Sequence, residues 1–249
     1  MRNLSILFFI FVSSSIFSQT VEKNTPDTIL VDSKFTLYQI VKHNITILAF
    51  KEDFEFVYNI SKIQTFATYS KNDNFEYAIN GSFFESNFTH AGYLSIFGKV
   101  KTKLKKDLQL THLLFYDYSI DSIGIQEYNS LDISKINFTQ SVIFQTGPLV
   151  INKDSICEGF IANSINGNST RKRTLLAYDN DNTKYFIVVK EGITLIELAF
   201  FLKNLSIFEN KEITVINLDG GPSVSFYSKN HPEYNFNINS KLPIILGVK

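Results

Sequence analysis

Short apolar runs rich in β-branched and aromatic residues recur along the chain, separated by polar turns, a pattern typical of β-strands. Two pairs of neighbouring runs predict hairpins, namely 35–41 with 45–50 and 173–179 with 185–190. Further strands are predicted at 75–79, 93–100, 108–116, 141–144, 213–218, 226–227 and 242–248. The lysine-rich segment 101–106, between two of these strands, is typical of an exposed hairpin loop.

Two segments have the periodicity of helices instead. In 194–205, Thr194 and Glu197 form a capping box and leucines repeat at helical spacing along one face. A shorter helix is predicted at 60–69. No Gly/Pro/Ser-rich linker divides the chain. We therefore predict an α+β fold, a single domain over 28–249 with mostly antiparallel strands and one or two packed helices.

The N-terminus has the pattern of a secretory signal peptide. Arg2 is followed by the apolar run 4–17 and by the small residue Ser18. The run is shorter than the ~20 apolar residues that a membrane-spanning helix needs. We predict a signal peptide at 1–18, a flexible lead-in at 19–27, and a mature protein that is secreted or periplasmic and has no integral membrane segment.

Charge and composition narrow the range of partners. The chain has 24 basic and 24 acidic side chains, so no overall field favours nucleic acid. The four histidines are scattered singly rather than at zinc-site spacing, and Cys157 is the only cysteine in the sequence. We therefore predict no metal, no other cofactor and no intramolecular disulfide. The sequence leaves the oligomeric state open.

Four segments share one form, an apolar strand that runs into a turn of small and polar residues. They are Asn80-Gly81-Ser82-Phe83-Phe84, Gln145-Thr146-Gly147-Pro148, Arg171-Lys172-Arg173-Thr174 and Asp219-Gly220-Gly221-Pro222-Ser223. Each is by itself typical of an ordinary turn. Because functional loops often cluster at one edge of a rigid sheet, we expect the four turns to meet in one cleft.

The polar groups of these turns suit a sugar phosphate. The planar guanidinium of Arg173 can hold a phosphate through two parallel hydrogen bonds. Gly220 and Gly221 can offer backbone N–H groups to phosphate oxygens. The amides of Asn80 and Gln145 can donate to sugar hydroxyls and accept from them.

Asp219 is the candidate carboxylate that acts at an anomeric carbon. Glycosidases commonly use a pair of carboxylates, and the partner of Asp219 is not obvious from the sequence. Glu85 and Glu191 are candidates, although each is also typical of a surface carboxylate. A phosphate leaving group needs less proton assistance than an alkoxide, so a single carboxylate with phosphate-binding donors is an alternative. Phe83 and Phe84 offer an apolar platform or pack in the core.

The order of these motifs, with Gly192-Ile193-Thr194-Leu195 and its helix between the third and the fourth, resembles the phosphodiester glycosidase family over about 75–248. The resemblance implies hydrolysis of a sugar-1-phosphodiester, with release of the sugar. Ser82 stands where the family often has a second glycine. Pro222 removes one N–H that would otherwise bind phosphate.

Motifs and resemblance together give a set of candidate site residues. Asp219 and Arg173 are the candidate catalytic residues. The candidate substrate-binding residues are Asn80, Gly81, Gln145, Thr146, Gly147, Gly220, Gly221 and Ser223.

Three functions fit the sequence. The first is a secreted hydrolase of glycosyl phosphodiesters, with a carbohydrate phosphodiester as substrate and envelope or extracellular polysaccharide as a source of it. The second is a non-catalytic polysaccharide-binding module on the same fold, which the lack of a clear second carboxylate keeps open. The third is a purely structural secreted domain, which predicts that Asn80, Arg173 and Asp219 lie far apart.

Overall fold

The computed structural model describes residues 26–59, 63–130, 138–157, 159 and 168–249. Two α-helices lie wholly within these ranges, α1 (Phe66–Asn72) and α2 (Leu195–Lys203). The strands are β1 (Asp27–Val31), β2 (Phe35–Ile40), β3 (Ile45–Phe50), β4 (Phe54–Tyr58), β5 (Tyr77–Asn80), β6 (Leu94–Ile96), β7 (Lys99–Thr102), β8 (His112–Asp117), β9 (Ser122–Glu127), β10 (Ser141–Thr146), β11 (Leu149–Asn152), β12 (Ser155–Ile156), β13 (Arg171–Tyr178), β14 (Lys184–Ile193), β15 (Thr214–Asn217), β16 (Phe226–Ser228) and β17 (Ile244–Val248).

The described strands form three sheets, and neighbouring strands within each sheet run antiparallel. The largest has the order β1-β2-β3-β14-β13-β15-β11-β12, the second β7-β6-β10-β8-β9, and the third β16-β5-β17-β4. This arrangement confirms the predicted α+β class, with one domain and mostly antiparallel strands. The two predicted hairpins are also confirmed as β2–β3 and β13–β14.

All three sheets contribute to one central core. Leu48, Phe186 and Leu176 from the largest sheet pack in the same cluster as Phe144 and Leu246 from the other two. The opposite face of the largest sheet is covered by α2 in a second cluster. Because this sheet is buried on both faces, its central strands are continuous apolar runs rather than alternating ones.

Three predicted elements differ from the structure. The helix expected at 60–69 begins later, at Phe66, where the Thr65 hydroxyl accepts from the Thr68 N–H at 3.3 Å and caps it. Positions 60–62 lie outside the described residues. The segments predicted around the lysine-rich loop 101–106 do not form one hairpin, because β10 lies between β6 and β8 in the sheet. The predicted strand 93–100 is instead two strands, β6 and β7, and β7 extends into the lysine-rich segment as far as Thr102.

Five strands were not predicted from the sequence: β1, β4, β9, β11 and β12. Strand β9 is mostly half-buried, and β11 and β12 are too short to show a period. The predicted signal peptide lies outside the described residues. Within the described ranges, neither helix is long and apolar enough to cross a membrane.

The capping box of α2 gives the first prediction. The Thr194 hydroxyl accepts from the Glu197 N–H at 3.2 Å, and the Glu197 carboxylate accepts from the Thr194 N–H at 3.1 Å. Thr194→Ala removes the first bond, so we expect a loss of about 1 kcal/mol in the free energy of unfolding, measured by urea denaturation. The control is Phe200→Ala on the exposed side of the same helix, for which the loss should stay below about 0.5 kcal/mol. Equal losses would show that the cap adds nothing.

Candidate active site

The structure brings the four predicted turns together. The buried side-chain amide of Asn80 connects its own turn to Thr174 of the third turn and to the segment 219–225. Its Nδ2 donates to the Asp219 carbonyl at 2.8 Å, and its Oδ1 accepts from Thr174 Oγ1 at 2.6 Å and from the Ser225 N–H at 3.0 Å. A main-chain bond from Asp219 N to Gly81 O, at 3.2 Å, closes the junction. Asn80 therefore fixes the turns rather than facing solvent.

Gln145 joins the remaining turn to a distant loop. Its Oε1 accepts from the Tyr93 and Lys105 N–H groups at 2.9 and 3.0 Å. Its Nε2 donates to the Lys105 and Leu110 carbonyls at 2.6 and 2.7 Å. The Ser82 hydroxyl donates to the Gln145 carbonyl at 2.9 Å, which connects this turn to the Asn80 turn. The amide of Gln145 is therefore fully used within the protein.

A cleft of about 460 Å³ opens where these turns meet. It is lined by Phe83, Phe84, Gln109, Arg171, Arg173, Asn217, Asp219, Gly220, Gly221, Pro222 and Ser223. Five of the ten predicted site residues are among them: Asp219, Arg173, Gly220, Gly221 and Ser223. The other five lie behind the lining in the described structure: Asn80, Gly81, Gln145, Thr146 and Gly147.

The residues behind the lining hold the turns in place. Asn80 and Gln145 are 1% and 0% exposed. Gly81 packs so closely on Ile244 that a Cβ would lie 2.3 Å from its Cγ2. The Thr146 hydroxyl and the Gly147 N–H both donate to the carbonyl of Asn217. The geometry therefore favours a positioning role for these residues over the direct substrate binding that the sequence suggested.

Asp219 lines the cleft and is half-buried. Burial disfavours the ionised form and raises the pKa of Asp219 from 3.8 to about 6, while hydrogen bonds from the Ser223 hydroxyl and the Gly220 N–H partly oppose the shift. The carboxyl therefore changes charge near pH 6. A group that titrates there is suited to chemistry close to neutral pH.

Two arginines of β13 contribute positive charge to the same cleft. Arg173 is 2% exposed, and its guanidinium donates to the Ser169 carbonyl at 2.6 Å and to the Ile193 carbonyl at 3.4 Å. Burial and the charge of Arg171 lower the pKa of Arg173 to about 10, so the group remains charged at neutral pH. Arg171 is exposed on the same strand. The pair favours binding of an anion.

The turn after Asp219 needs both of its glycines. Gly220 passes so close to β13 that a Cβ there would lie 2.8 Å from the Lys172 carbonyl. Gly221 has a φ of +61°, in the left-handed region that favours glycine, and a Cβ there would meet nothing within 4 Å. The backbone of Gly221 therefore borders open space in the cleft, where a ligand can approach it closely.

The structure places both candidate carboxylate partners outside the cleft lining. Glu85 is exposed and forms an ion pair with Lys105 at 2.9 Å. Glu191 is exposed near the end of β14. Asp219 is the only carboxylic residue among the cleft-lining residues that the structure describes. Across the same described residues, no three His, Cys, Asp or Glu side chains are grouped so that they could hold a metal ion.

Three polar residues of the lining were not among the candidate site residues: Gln109, Arg171 and Asn217. Arg171 had a usable signal, because residues i and i+2 of a strand point to the same face and Arg173 was already a candidate. Asn217 also precedes Asp219 by two positions. Gln109 lies in an irregular loop, and no pattern in the sequence indicates it.

Comparison with known proteins decides the family. A family model for phosphodiester glycosidases matches residues 73–249. The chain belongs to the phosphodiester glycosidase family. The match confirms the resemblance seen in the motifs. No curated protein matches the sequence.

Solved structures share the fold of this phosphodiester glycosidase domain. The catalytic domain of zebrafish N-acetylglucosamine-1-phosphodiester alpha-N-acetylglucosaminidase, auto-inhibited by its pro-peptide, has a TM-score of 0.62 at 17% identity, over 90% of this chain and 81% of that one. A hypothetical protein from Synechocystis has a TM-score of 0.57 at 12% identity, over 89% and 63% of the two chains. A protein of Burkholderia pseudomallei, named as a candidate exported protein, has a TM-score of 0.51 at 9% identity, over 86% and 74%.

The raised pKa of Asp219 predicts a pH-dependent cost in stability. Its folded pKa of about 6 exceeds the unfolded value of 3.8, so the protein loses stability as pH rises from about 4 to about 6. Above about pH 6, the total decrease in the free energy of unfolding is at most on the order of 3 kcal/mol. We expect Asp219→Asn to be more stable than wild type by about 1–3 kcal/mol in urea denaturation at pH 7, with the difference vanishing below about pH 4.

The matched control is Asp181→Asn in the exposed β13–β14 turn. Its effect on the free energy of unfolding should be below about 0.5 kcal/mol. An Asp219→Asn protein that is less stable than wild type at pH 7 would show instead that neighbouring charges stabilise the ionised carboxylate.

Proposed function

We propose that the protein is a secreted hydrolase that cleaves a glycosyl phosphodiester between the anomeric carbon and the phosphate oxygen. Water supplies the hydroxyl of the released sugar, and the phosphate stays on the other partner. The observation that carries the proposal is the cleft itself, which combines one carboxyl, Asp219, with the guanidinium groups of Arg171 and Arg173. Membership of the phosphodiester glycosidase family supports the same class of reaction.

Each group in the cleft has a task in this reaction. The ionised carboxylate of Asp219 acts on the positive charge that develops at the anomeric carbon. The two arginines bind the phosphate and stabilise the negative charge on it as the bond breaks. Because a phosphate leaves without full protonation, the reaction does not require a second carboxyl in the cleft. The half-buried rings of Phe83 and Phe84 offer an apolar face for a sugar ring.

Secretion is part of the proposal. It is supported by the signal-peptide pattern at 1–18 and by the likeness to a Burkholderia pseudomallei protein named as a candidate exported protein. Envelope or extracellular polysaccharide is then an accessible source of the substrate.

The alternative is a polysaccharide-binding module without catalysis. It is favoured by one observation: Asp219 is the only carboxyl of the described cleft lining, whereas glycosidases commonly use two. A binding module predicts saturable glycan binding without any release of sugar. Product analysis on a panel of sugar-1-phosphodiesters and nucleotide sugars separates the two functions.

Removal of the carboxylate should strongly reduce turnover. We expect Asp219→Asn to lower kcat/KM by about 10²–10⁴-fold for release of free sugar from a sugar-1-phosphodiester, while Asp181→Asn keeps wild-type activity. Since the ionised form acts, kcat/KM of the wild type should rise with pH and level off above the pKa of Asp219, about 6. Equal turnover in the Asn variant would remove Asp219 from the chemistry.

The arginine pair predicts a selective effect on binding. Arg171→Ala removes one positive charge from the cleft, so KM for an anionic phosphodiester should rise by about three- to tenfold, and more at low salt. Lys172→Ala is the matched control, because Lys172 is the next residue on β13 and packs over the Phe236 ring instead, with Nζ 4.9 Å from the ring centroid. It should change KM less than about twofold. An equal rise in both variants would point to a general effect of net charge.

A further inference from the structure

Asn217 ends β15, two residues before Asp219, and lines the cleft. Its main-chain groups are fully used within the protein. The N–H donates to the Pro148 carbonyl at 3.0 Å, and the carbonyl accepts from Gly147 N at 3.2 Å and Thr146 Oγ1 at 2.9 Å. Any contact that Asn217 makes with a ligand therefore has to come from its side chain.

The orientation of that side chain is fixed by one hydrogen bond. Nδ2 donates to the Gly147 carbonyl at 2.9 Å. A reversed amide would place Oδ1 against the carbonyl oxygen, and two acceptors repel one another. Oδ1 consequently has a defined position. Among the residues that the structure describes it has no hydrogen-bond partner, although Asn217 is only 2% exposed.

Three buried side-chain atoms in the described part of the chain lack a partner: His90 Nε2, Ser95 Oγ and Asn217 Oδ1. Among these three residues only Asn217 lines the cleft. The Ser95 hydroxyl can rotate, and an imidazole can change tautomer, but the amide of Asn217 has neither freedom. An unpaired buried acceptor destabilises the free protein, so its presence beside Asp219 points to a partner that arrives with the ligand.

We infer that Asn217 Oδ1 accepts a hydrogen bond from a hydroxyl group of the bound sugar and thereby selects among sugars. The inference rests on the proposed function. An amide oxygen binds donors and repels a phosphate oxygen, so in the bound ligand Oδ1 contacts the sugar and the arginines contact the phosphate. Because Asn217 and Asp219 are two positions apart, this hydroxyl lies on the part of the ring near the anomeric carbon.

The test uses the full-length protein and the methyl phosphodiesters of glucose, mannose and N-acetylglucosamine 1-phosphate, each also with one ring hydroxyl removed in turn. For wild type, kcat/KM should fall by about ten- to a hundredfold when one particular hydroxyl is missing. In Asn217→Ala the same comparison should give a ratio below about twofold. Thr146→Val is the control, because it removes the bond from Thr146 to the Asn217 carbonyl and leaves Oδ1 in place. Its ratio should match that of wild type, whatever its overall rate.

Three results would overturn the inference: wild-type discrimination that persists in Asn217→Ala, the absence of discrimination at every hydroxyl, or an Asn217→Ala defect in kcat alone that is equal for intact and deoxy substrates. The last result would assign Oδ1 to the attacking water. Failure of the proposed function looks different, because wild type then releases no sugar from any substrate. In that case calorimetry with the same intact and deoxy compounds gives the ratio of their dissociation constants, which tests the same hydrogen bond without catalysis.

Discussion

The cleft depends on the side-chain amide of Asn80. This one group holds Thr174 of β13, the carbonyl of Asp219 and the N–H of Ser225, and the chain itself joins it to Gly81. Asn80, Thr174 and the segment 219–225 are far apart in the sequence, so no local turn preference would keep them in register. A buried amide whose donors and acceptors are satisfied fixes their separation, because leaving any partner unpaired costs on the order of 1–3 kcal/mol.

The hydrogen bonds of Asn80 explain how Asp219 is held at a position where partial burial disfavours its ionised form. Asp219 cannot turn its main chain toward water, because its N–H and its carbonyl are both bonded to the Asn80 turn. Its carboxyl therefore remains in the cleft, where partial burial outweighs the hydrogen bonds from Ser223 and Gly220 and raises its pKa. The loss in the free energy of unfolding comes from the same group that carries the proposed chemistry, which is common in active sites.

The fold class and the meeting of the turns follow from the sequence, whereas the roles of several turn residues do not. Apolar strand runs and the capping box of Thr194 are local features, so short stretches of sequence are enough to predict them. The direction of a turn amide depends on distant partners. Asn80 bonds to Thr174, which is 94 positions away, and Gln145 bonds to Lys105, which is 40 positions away. Chemistry alone suggested sugar binding for both, and only the packed structure shows that their hydrogen bonds are made within the protein.

A single carboxyl in the described cleft lining also restricts the reaction that the site can perform. An ordinary glycoside leaves as an alkoxide, which needs a proton from a second acid, and neither Glu85 nor Glu191 lines the cleft. A phosphate leaves as a stabilised anion, and Arg171 and Arg173 already supply the positive charge that favours its departure. The composition of the cleft is thus suited to a phosphodiester and poorly suited to an alkyl glycoside. Under the proposed function, the selectivity for the linkage comes from the two arginines and from the single carboxyl of the described lining, and the selectivity for the sugar comes from Asn217.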